Sequence, residues 1–522
     1  MNSLGLPLPK PHLSRQTLIS NSKPLIPFLE WRLRSQSSKG FPFLRRERTR
    51  IHATTALLQH SEHDVVVVGA GIIGLSIARQ LLLESDLSVA IVDAGLPCSG
   101  ATGAGQGYIW MAHKTPGSDT WELAMRSKYL WEELAESLQR RGLDPLQVLG
   151  WKKTGSLLIG RTSEELAILE ERVRLLSHTG LRVEFLSSNS LLSREPALEV
   201  GKEGGAAFFP DDCQIDAFNT ASFIEKGNKC FASKGRYAEF YNDPAKCLVR
   251  SERNGVAEAI QTSKNILYFK KALVFAAGAW TGCLMRSLFV ETDIVPVPVK
   301  PRKGHLIVLE NFNGIQLNHG LMEVGYMDHQ FASYQPVDNT QHFSSVSMTA
   351  TTDMNGNLVL GSSRQFSGFC KEVEEPIVKS ILERAAEFFP TLNDLFHNLN
   401  ENGKIRVGFR PYMPDGKPVI GPILRFPKVF LATGHEGSGL SLALGTAEMV
   451  ADMILDNPSR VDCKPFSVEG RFSHWVLKSS GKVDKKQLKC IHFVNQFMDL
   501  RDCEHIRRLS FHSPTKFWKK PD

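Results

Sequence analysis

Three glycines stand where an apolar strand gives way to a helix. Gly69, Gly71 and Gly74 have the spacing G-x-G-x-x-G, directly after four consecutive valines and before an apolar run with helical spacing. Glycine at these positions permits a tight turn, close approach of the backbone to phosphate, and close packing of the helix on the strand. N–H groups and the helix dipole at such a turn attract an anion. The spacing therefore predicts a unit that binds a pyrophosphate.

An acidic residue extends this unit. Asp93 ends the next apolar segment, about 20 residues beyond the glycines, where an acid binds a ribose hydroxyl in dinucleotide-binding folds. A glycine motif alone is a weak signal. Here, however, strand, helix, second strand and acid follow in the required order. We therefore predict that the segment binds a dinucleotide.

Three later segments are also rich in small residues. Residues 94–107 are mostly glycine, alanine, serine and threonine, and an apolar strand near residue 275 ends in Ala-Gly-Ala-Trp at 277–280. A second glycine-rich turn, 434–440, follows an apolar strand and opens a helix that runs to about residue 455. Small residues let the backbone approach a ligand closely. We predict that these segments line the nucleotide site.

The order of predicted elements indicates an α/β protein with two interleaved domains. Segments 64–150, 214–290 and 405–472 carry the strand-turn-helix pattern of a Rossmann-like nucleotide-binding domain. Segments 151–213 and 291–404 are rich in strands, and we assign them to a discontinuous antiparallel-sheet domain. Within it the pattern predicts a helix over 163–176, capped by Ser163.

Composition and charge exclude several classes of protein. The 522 residues are 42% hydrophobic and 22% charged, which is typical of a folded protein, and no uninterrupted apolar run predicts a transmembrane segment. The nine cysteines lack C-x-x-C pairing, so neither a disulfide framework nor a metal site is expected. The net charge of +7 is concentrated near the N-terminus, where residues 1–53 hold ten Lys and Arg against two Glu. We therefore expect no nucleic-acid-binding surface.

Both ends of the chain are predicted to lie outside the folded domains. Residues 1–53 are basic and rich in serine and proline, which predicts a disordered transit peptide. Their composition favours a chloroplast over a mitochondrion, and a basic arm that stays attached is the alternative. Residues 473–522 form a basic C-terminal tail that we expect to be poorly ordered.

Taken together, these segments resemble the D-amino-acid oxidase family of FAD-dependent oxidoreductases, in particular its glycine oxidase, sarcosine oxidase and D-amino-acid dehydrogenase members. The resemblance runs from about Asp64 to Phe472 and rests on residues 69–74, 101–107, 276–280, 408–421 and 434–440. It implies that the Rossmann-like domain binds FAD and that the antiparallel domain covers the reacting face of the flavin and binds substrate.

The resemblance also implies which residues contact FAD. No cysteine lies near Arg410 or within 434–440, so we expect the FAD to be noncovalent. The expected FAD-binding residues are Gly69, Gly71, Ile72, Ile73, Gly74, Asp93, Ala101, Thr102, Gly103, Gly105, Gly107, Ala277, Gly278, Trp280, Gly434, His435, Gly437, Ser438, Gly439 and Leu440.

The segment G-F-R-P at 408–411 carries the residue expected to bind substrate. In the similar enzymes the arginine of this motif binds the substrate carboxylate, and here it is Arg410. A planar guanidinium pairs with a carboxylate through two parallel hydrogen bonds, which would hold the α-carbon hydrogen against the flavin. A structural ion pair is the alternative for Arg410. His305 and Arg364 are further catalytic candidates on strands, although a buried, hydrogen-bonded core position is favoured for His305.

The resemblance implies oxidation of a small amino acid or N-alkyl amino acid at its α-carbon by hydride transfer to FAD. The substrate would be a small anion, and electrons would pass to oxygen or to a quinone or protein acceptor. Two alternatives remain open: a flavin-dependent 2-hydroxy-acid dehydrogenase, and a flavin-binding electron carrier without a small substrate. An NAD-dependent dehydrogenase fits less well because the turn at 434–440 would have no role.

Overall fold

The computed structural model describes residues 58–289, 296–327, 344–397 and 403–471. The predicted transit peptide, 1–53, and the predicted basic tail, 473–522, lie outside these ranges, so both stay predictions.

The strands of the described residues form two eight-stranded sheets and one two-stranded sheet. In chain order the strands are β1 (Gln59–Val68), β2 (Val89–Val92), β3 (Tyr108–Ile109), β4 (Ser156–Gly160), β5 (Glu184–Ser187), β6 (Gly205–Phe209), β7 (Cys213–Gln214), β8 (Tyr237–Phe240), β9 (Ala245–Arg250), β10 (Ala257–Thr262), β11 (Asn265–Phe275), β12 (Lys300–Leu309), β13 (Gly320–Glu323), β14 (Ser344–Thr352), β15 (Leu358–Gln365), β16 (Gly403–Tyr412), β17 (Val419–Ile423) and β18 (Phe426–Thr433).

The helices of the described residues pack against both large sheets. They are α1 (Ile72–Glu84), α2 (Trp121–Arg140), α3 (Pro145–Leu149), α4 (Ser163–Ser177), α5 (Ser188–Arg194), α6 (Ala217–Lys229), α7 (Thr281–Leu288), α8 (Glu375–Ala386) and α9 (Gly439–Leu455). The predicted helix over 163–176 is α4, but its N-cap is Thr162 rather than Ser163. The Thr162 hydroxyl accepts a hydrogen bond from the Glu165 N–H, and Glu165 accepts one in return from the Thr162 N–H.

The first sheet has a parallel centre. Its order is β17-β18-β11-β1-β2-β8, and β10 and β9 extend it beside β11. Strand β1 pairs in parallel with both β2 and β11. Val65 and Val67 pack in one hydrophobic core, whereas Val66 and Val68 pack in another. Successive side chains of a strand point to opposite faces, and both faces of this sheet are covered, so all four positions are apolar.

The second sheet has the order β16-β12-β15-β14-β13-β4-β6-β5 and is antiparallel except where β13 pairs in parallel with β4. The predicted α/β fold with a Rossmann-like domain and an antiparallel-sheet domain is confirmed, with that one parallel pair as a difference. One predicted boundary needs correction. Strand β16, assigned to the nucleotide-binding domain, pairs with β12 over ten register positions and so belongs to the second sheet.

Helix α9 is the longest apolar element of the described residues. Together with the turn before it, this helix forms the stretch Glu436–Leu455, which is long and apolar enough to cross a bilayer. However, 67% of the 18-residue apolar segment within this stretch is buried inside the protein. It packs against α1 and α2. These contacts account for its apolar character, because a helix buried on most sides is hydrophobic all round.

The capping box of α4 can be tested by substitution. We expect Thr162→Ala to lower the local stability of the first turn of α4 by about 1 kcal/mol, because the Glu165 N–H loses its acceptor. Hydrogen exchange of the amides at the start of α4 measures this change. Ser163→Ala is the control and should have little effect. An equal effect of both substitutions would contradict the assignment of Thr162 as the cap.

Candidate active site

The first glycine turn is shaped by contacts that leave no room for side chains. Gly69 has a φ of +118°, and a Cβ atom there would lie 2.5 Å from the carbonyl oxygen of Ala276. A Cβ atom on Gly74 would lie 2.0 Å from the carbonyl oxygen of Gly69. Both distances are far below van der Waals contact. The turn therefore requires glycine at these two positions, and it brings the end of β11 against the end of β1.

Asp93 is held at the end of β2 by two backbone groups. Its carboxylate accepts hydrogen bonds from the N–H groups of Ala70 and Gly95, each at 2.7 Å. Burial raises the pKa of this carboxyl, and the two donors lower it in part. The side chain is half-buried and lines the cavity described next. This geometry suits an acid that binds ribose hydroxyls beside a glycine turn.

A cavity of about 530 Å³ is lined by residues of both large sheets. Most of the predicted FAD-binding residues lie on its wall. These are Gly69, Gly71, Ile72, Ile73, Asp93, Ala101, Thr102, Gly105, Gly107, Ala277, Gly278, Trp280, His435, Gly437, Gly439 and Leu440. The structure thus brings four separate small-residue segments to one surface.

Four predicted FAD-binding residues do not line this cavity, and each has a local structural role. Gly74 and Gly103 close tight turns, since a Cβ atom on Gly103 would lie 2.5 Å from the carbonyl oxygen of Cys98. Gly434 packs against Met413 with a φ of +81°. The Ser438 hydroxyl accepts a hydrogen bond from Lys114 Nζ at 2.5 Å.

Arg410 lines the cavity from the second sheet. It stands opposite Arg302 across β16 and β12, so both side chains project from the same face. A Cβ atom on Gly304 would lie 2.2 Å from Arg410 Nη1, which means that the guanidinium occupies the space of a side chain at 304. Nη1 donates to the carbonyl oxygen of Ser363 at 2.9 Å. A guanidinium has five N–H donors, so this anchor leaves others for a ligand.

Arg364 is buried and is not among the residues that line the cavity. Its guanidinium carbon is 4.2 Å from the centre of the Tyr326 ring, and its Nη1 donates to Ser347 Oγ at 3.2 Å. Tyr326 does line the cavity. Arg364 is thus buried against Tyr326, and its Nη2 has no hydrogen-bond partner among the described residues, so its catalytic role stays a prediction.

His305 is a buried core residue on the opposite face of β12. Its Nδ1 is 3.0 Å from Ser363 Oγ, and its Nε2 accepts a hydrogen bond from the Glu374 N–H at 3.4 Å. Burial, with a smaller effect of Lys303, lowers its pKa to about 4. Both ring nitrogens are occupied and the residue does not line the cavity, so the structure corrects its assignment as catalytic and supports the core position that was favoured.

His435 lies on the cavity wall but is held by the protein. Its Nε2 is 3.0 Å from Thr446 Oγ1, and burial lowers its pKa to about 3. The ring is therefore neutral near pH 7 and is committed to a hydrogen bond inside the first domain. This leaves its backbone, rather than its ring, to shape the turn.

The sequence analysis missed two charged residues at this end of the cavity. Glu436 lines the cavity beside Arg410, with a φ of +47° that is uncommon for a residue with a side chain. Arg302 is buried and its Nη1 lies 3.3 Å from Glu436 Oε1. Burial raises the pKa of Glu436, but Arg410, Arg302 and Arg364 lower it further, so the net direction is downward. The available signal in the sequence was Glu436 itself, a charged residue inside the glycine-rich turn 434–440 that we predicted to line the nucleotide site.

The residues on the cavity wall fit an FAD cofactor. The glycine turn places bare backbone on the cavity wall at Gly69 and Gly71, Asp93 provides a carboxylate beside it, and the wall continues to the second sheet. Residues 64–453 match the family model described as DAO, FAD dependent oxidoreductase. The chain belongs to this family of FAD-dependent oxidoreductases. The predicted family and cofactor are thereby confirmed, while the individual FAD contacts and the noncovalent mode stay predictions.

Several known proteins are similar over most of the described chain. A glycine oxidase of Geobacillus kaustophilus is 25% identical over 408 residues, which is 78% of this chain and 96% of that protein. A D-amino acid dehydrogenase of Vibrio cholerae is 25% identical over 59% of this chain and 65% of its own length. The crystal structure of glycine oxidase from Geobacillus kaustophilus superposes with a TM-score of 0.64 at 23% identity, covering 78% of this chain and 99% of that one.

The close approach of the Arg410 guanidinium to Gly304 can be tested without substituting Arg410 itself. Gly304→Ala should leave bound FAD in place but weaken binding of a small carboxylate such as propionate by about tenfold or more, because the new methyl group displaces the guanidinium. Titration of the flavin absorbance measures this affinity. Gly325→Ala is the control, since a Cβ atom at 325 meets nothing within 4 Å. Unchanged propionate affinity in Gly304→Ala would contradict the placement of Arg410.

Proposed function

We propose that this protein oxidises a small amino acid or N-alkyl amino acid at its α-carbon. The observation that carries the proposal is the position of Arg410, whose half-buried guanidinium lines the same cavity as the glycine turn and Asp93. A glycine oxidase and a D-amino acid dehydrogenase among the similar proteins support the amino-acid class of substrate.

The chain's own residues would bind and orient the substrate. Two N–H groups of Arg410 would pair with the substrate carboxylate, and the anchor to Ser363 would fix the direction of the guanidinium. FAD, when bound, supplies the acceptor for the hydride that leaves the α-carbon. Holding the two reacting atoms in register is itself a large contribution to rate. The imine product would hydrolyse in water, so no protein nucleophile is needed.

The FAD is proposed to be noncovalent. Of the cysteines described, Cys98 and Cys283 line the cavity. Burial, followed by the charges of Glu225 and Asp93, raises the pKa of Cys98 to about 12. A thiol with this pKa is protonated near pH 7 and is a poor nucleophile. Oxygen, a quinone or a protein would accept the electrons from the reduced flavin.

Anaerobic reduction of the purified holoenzyme tests the proposed function. We expect at least one amino acid or N-alkyl amino acid of a panel to bleach the flavin, with 2-hydroxy acids far slower. Arg410→Ala should lower the second-order rate of reduction about thirtyfold or more, since losing one member of a buried charged pair costs about 2–5 kcal/mol.

The matched control is Arg182→Ala, which removes an exposed arginine that pairs with Asp211 away from the cavity. Its rate should equal that of the wild type. If every amine fails to reduce the flavin and a hydroxy acid succeeds, the enzyme is a 2-hydroxy-acid dehydrogenase. If nothing reduces it, the proposal of a small substrate is refuted and an electron carrier is favoured.

We propose that residues 1–53 direct the protein to chloroplasts, on the strength of their basic, serine- and proline-rich composition. Import assays with isolated organelles test this. The full chain should become shorter and protease-protected in chloroplasts, and a chain without residues 1–53 should stay outside. Protection in mitochondria alone would favour the alternative organelle.

A further inference from the structure

One carboxylate lies at the substrate end of the cavity. Of the described residues that line it, Asp93 and Glu436 are the acidic ones. Asp93 is committed to the first glycine turn through Ala70 and Gly95. Glu436 instead follows β18, in the turn that faces the second sheet and Arg410. The two acids therefore serve different parts of the cavity.

The turn that carries Glu436 is packed directly on the side chain of Arg410. A Cβ atom on the next residue, Gly437, would lie 3.8 Å from Arg410 Cδ, 3.9 Å from its Nε and 3.7 Å from Tyr326 Oη. Among the charges acting on Glu436, that of Arg410 has the largest effect. A carboxylate and a guanidinium thus stand side by side on the wall of one cavity.

The carboxylate of Glu436 is held in place by hydrogen bonds but remains accessible to a further donor. One of its oxygens is 3.3 Å from Arg302 Nη1, and the other accepts a hydrogen bond from the Gly437 N–H. Arg302 is itself fixed, being 3% exposed and lying over the rings of Phe366 and Tyr412. The Glu436 side chain remains 22% exposed. Since each carboxylate oxygen accepts about two hydrogen bonds, Glu436 retains capacity for another donor.

We propose that Glu436 binds the amine of the substrate while Arg410 binds its carboxylate. An amino acid carries a cationic and an anionic group on one carbon atom, and this wall presents a carboxylate and a guanidinium side by side. The amine N–H groups would donate hydrogen bonds to Glu436. The substrate would then be held at two points, its carboxylate and its amine, and this orients the α-carbon. Glu436 has a left-handed backbone conformation although it carries a side chain, and such strain is found where a residue serves function.

The inference rests on the proposed function and names the residue that makes the site selective for amines. A purely structural role, as the counter-ion of Arg302, makes a different prediction. In that case removing the charge would change the binding of all carboxylates alike. If Glu436 binds the amine, removing the charge should weaken amine-bearing ligands alone.

The experiment compares an amino acid with its analogue that lacks the amine. The probes are glycine with acetate and alanine with propionate. The affinity of an amino acid that reduces the flavin is taken from the concentration dependence of the anaerobic reduction rate, and that of a ligand that does not is taken from titration of the oxidised flavin absorbance. In Glu436→Gln we expect the amino acids to bind about tenfold or more weakly, while acetate and propionate bind equally or more tightly because a competing anion is gone. Glu436→Asp should recover part of the amino-acid affinity. Gln keeps the length and backbone preference of Glu, so folding is little affected.

The control is Glu310→Gln, which neutralises a carboxylate paired with Lys404 at the other end of the same strand pair. This substitution should change neither the affinity for the amino acids nor the affinity for the plain carboxylates. Equal changes for amino acids and plain carboxylates in Glu436→Gln would overturn the inference even if amino acids reduce the wild-type flavin. If the wild-type protein neither binds nor is reduced by any amino acid, both the proposed function and the inference fail. The two failures are therefore distinguishable.

Discussion

The guanidinium of Arg410 reaches the cavity only because Gly304 has no side chain. The nearest strand, β12, passes so close that a Cβ atom would overlap the guanidinium, and the carbonyl of Ser363 on the next strand anchors it. Arg302 lies on the same face, and Arg364 is close enough to influence the charges there. Cations gathered in a partly buried site repel one another and need anions. Glu436 supplies one, and a substrate carboxylate would supply another.

This arrangement also joins the two large sheets. Strand β16 belongs to the second sheet, yet the chain runs from it through β17 and β18 in the first sheet directly into the turn with Glu436. A short stretch of chain therefore carries both Arg410 and Glu436. Arg410 and Glu436 arrive from different sheets, and their relative position depends on the contacts between Gly437 and the arginine side chain.

Much of the first domain could be predicted from sequence because its signals are local. Four valines, three glycines and an acid in order define a strand-turn-helix unit, and each requirement concerns neighbouring residues. The alternation of Val65–Val68 between two cores follows from a strand buried on both faces. The fold class, the cofactor and the exposure of Arg410 to the cavity followed from such motifs and from the family resemblance.

The second sheet was harder to predict because register and side-chain direction are not local properties. His305 and Gly304 are neighbours, but one side chain turns to the core and the other position opens to Arg410. No spacing rule identifies which face meets a ligand. The partnership of Arg302 with Glu436 joins residues that are distant in sequence. The cap of α4 was misplaced by one residue, because Thr162 and Ser163 both have suitable side chains.

The pairing of β1 has a consequence for how the polypeptide acquires its structure. Its two neighbours, β2 and β11, come from very different places along the chain. Strand β11 in turn pairs with β18, which lies near the end of the described residues. Contacts between distant segments pay a loop-closure entropy before they stabilise anything, so such topologies fold slowly. The central strand with its four valines therefore lacks its second partner until residues 265–275 have been synthesised. During that interval it is a natural client for chaperones that bind exposed apolar segments.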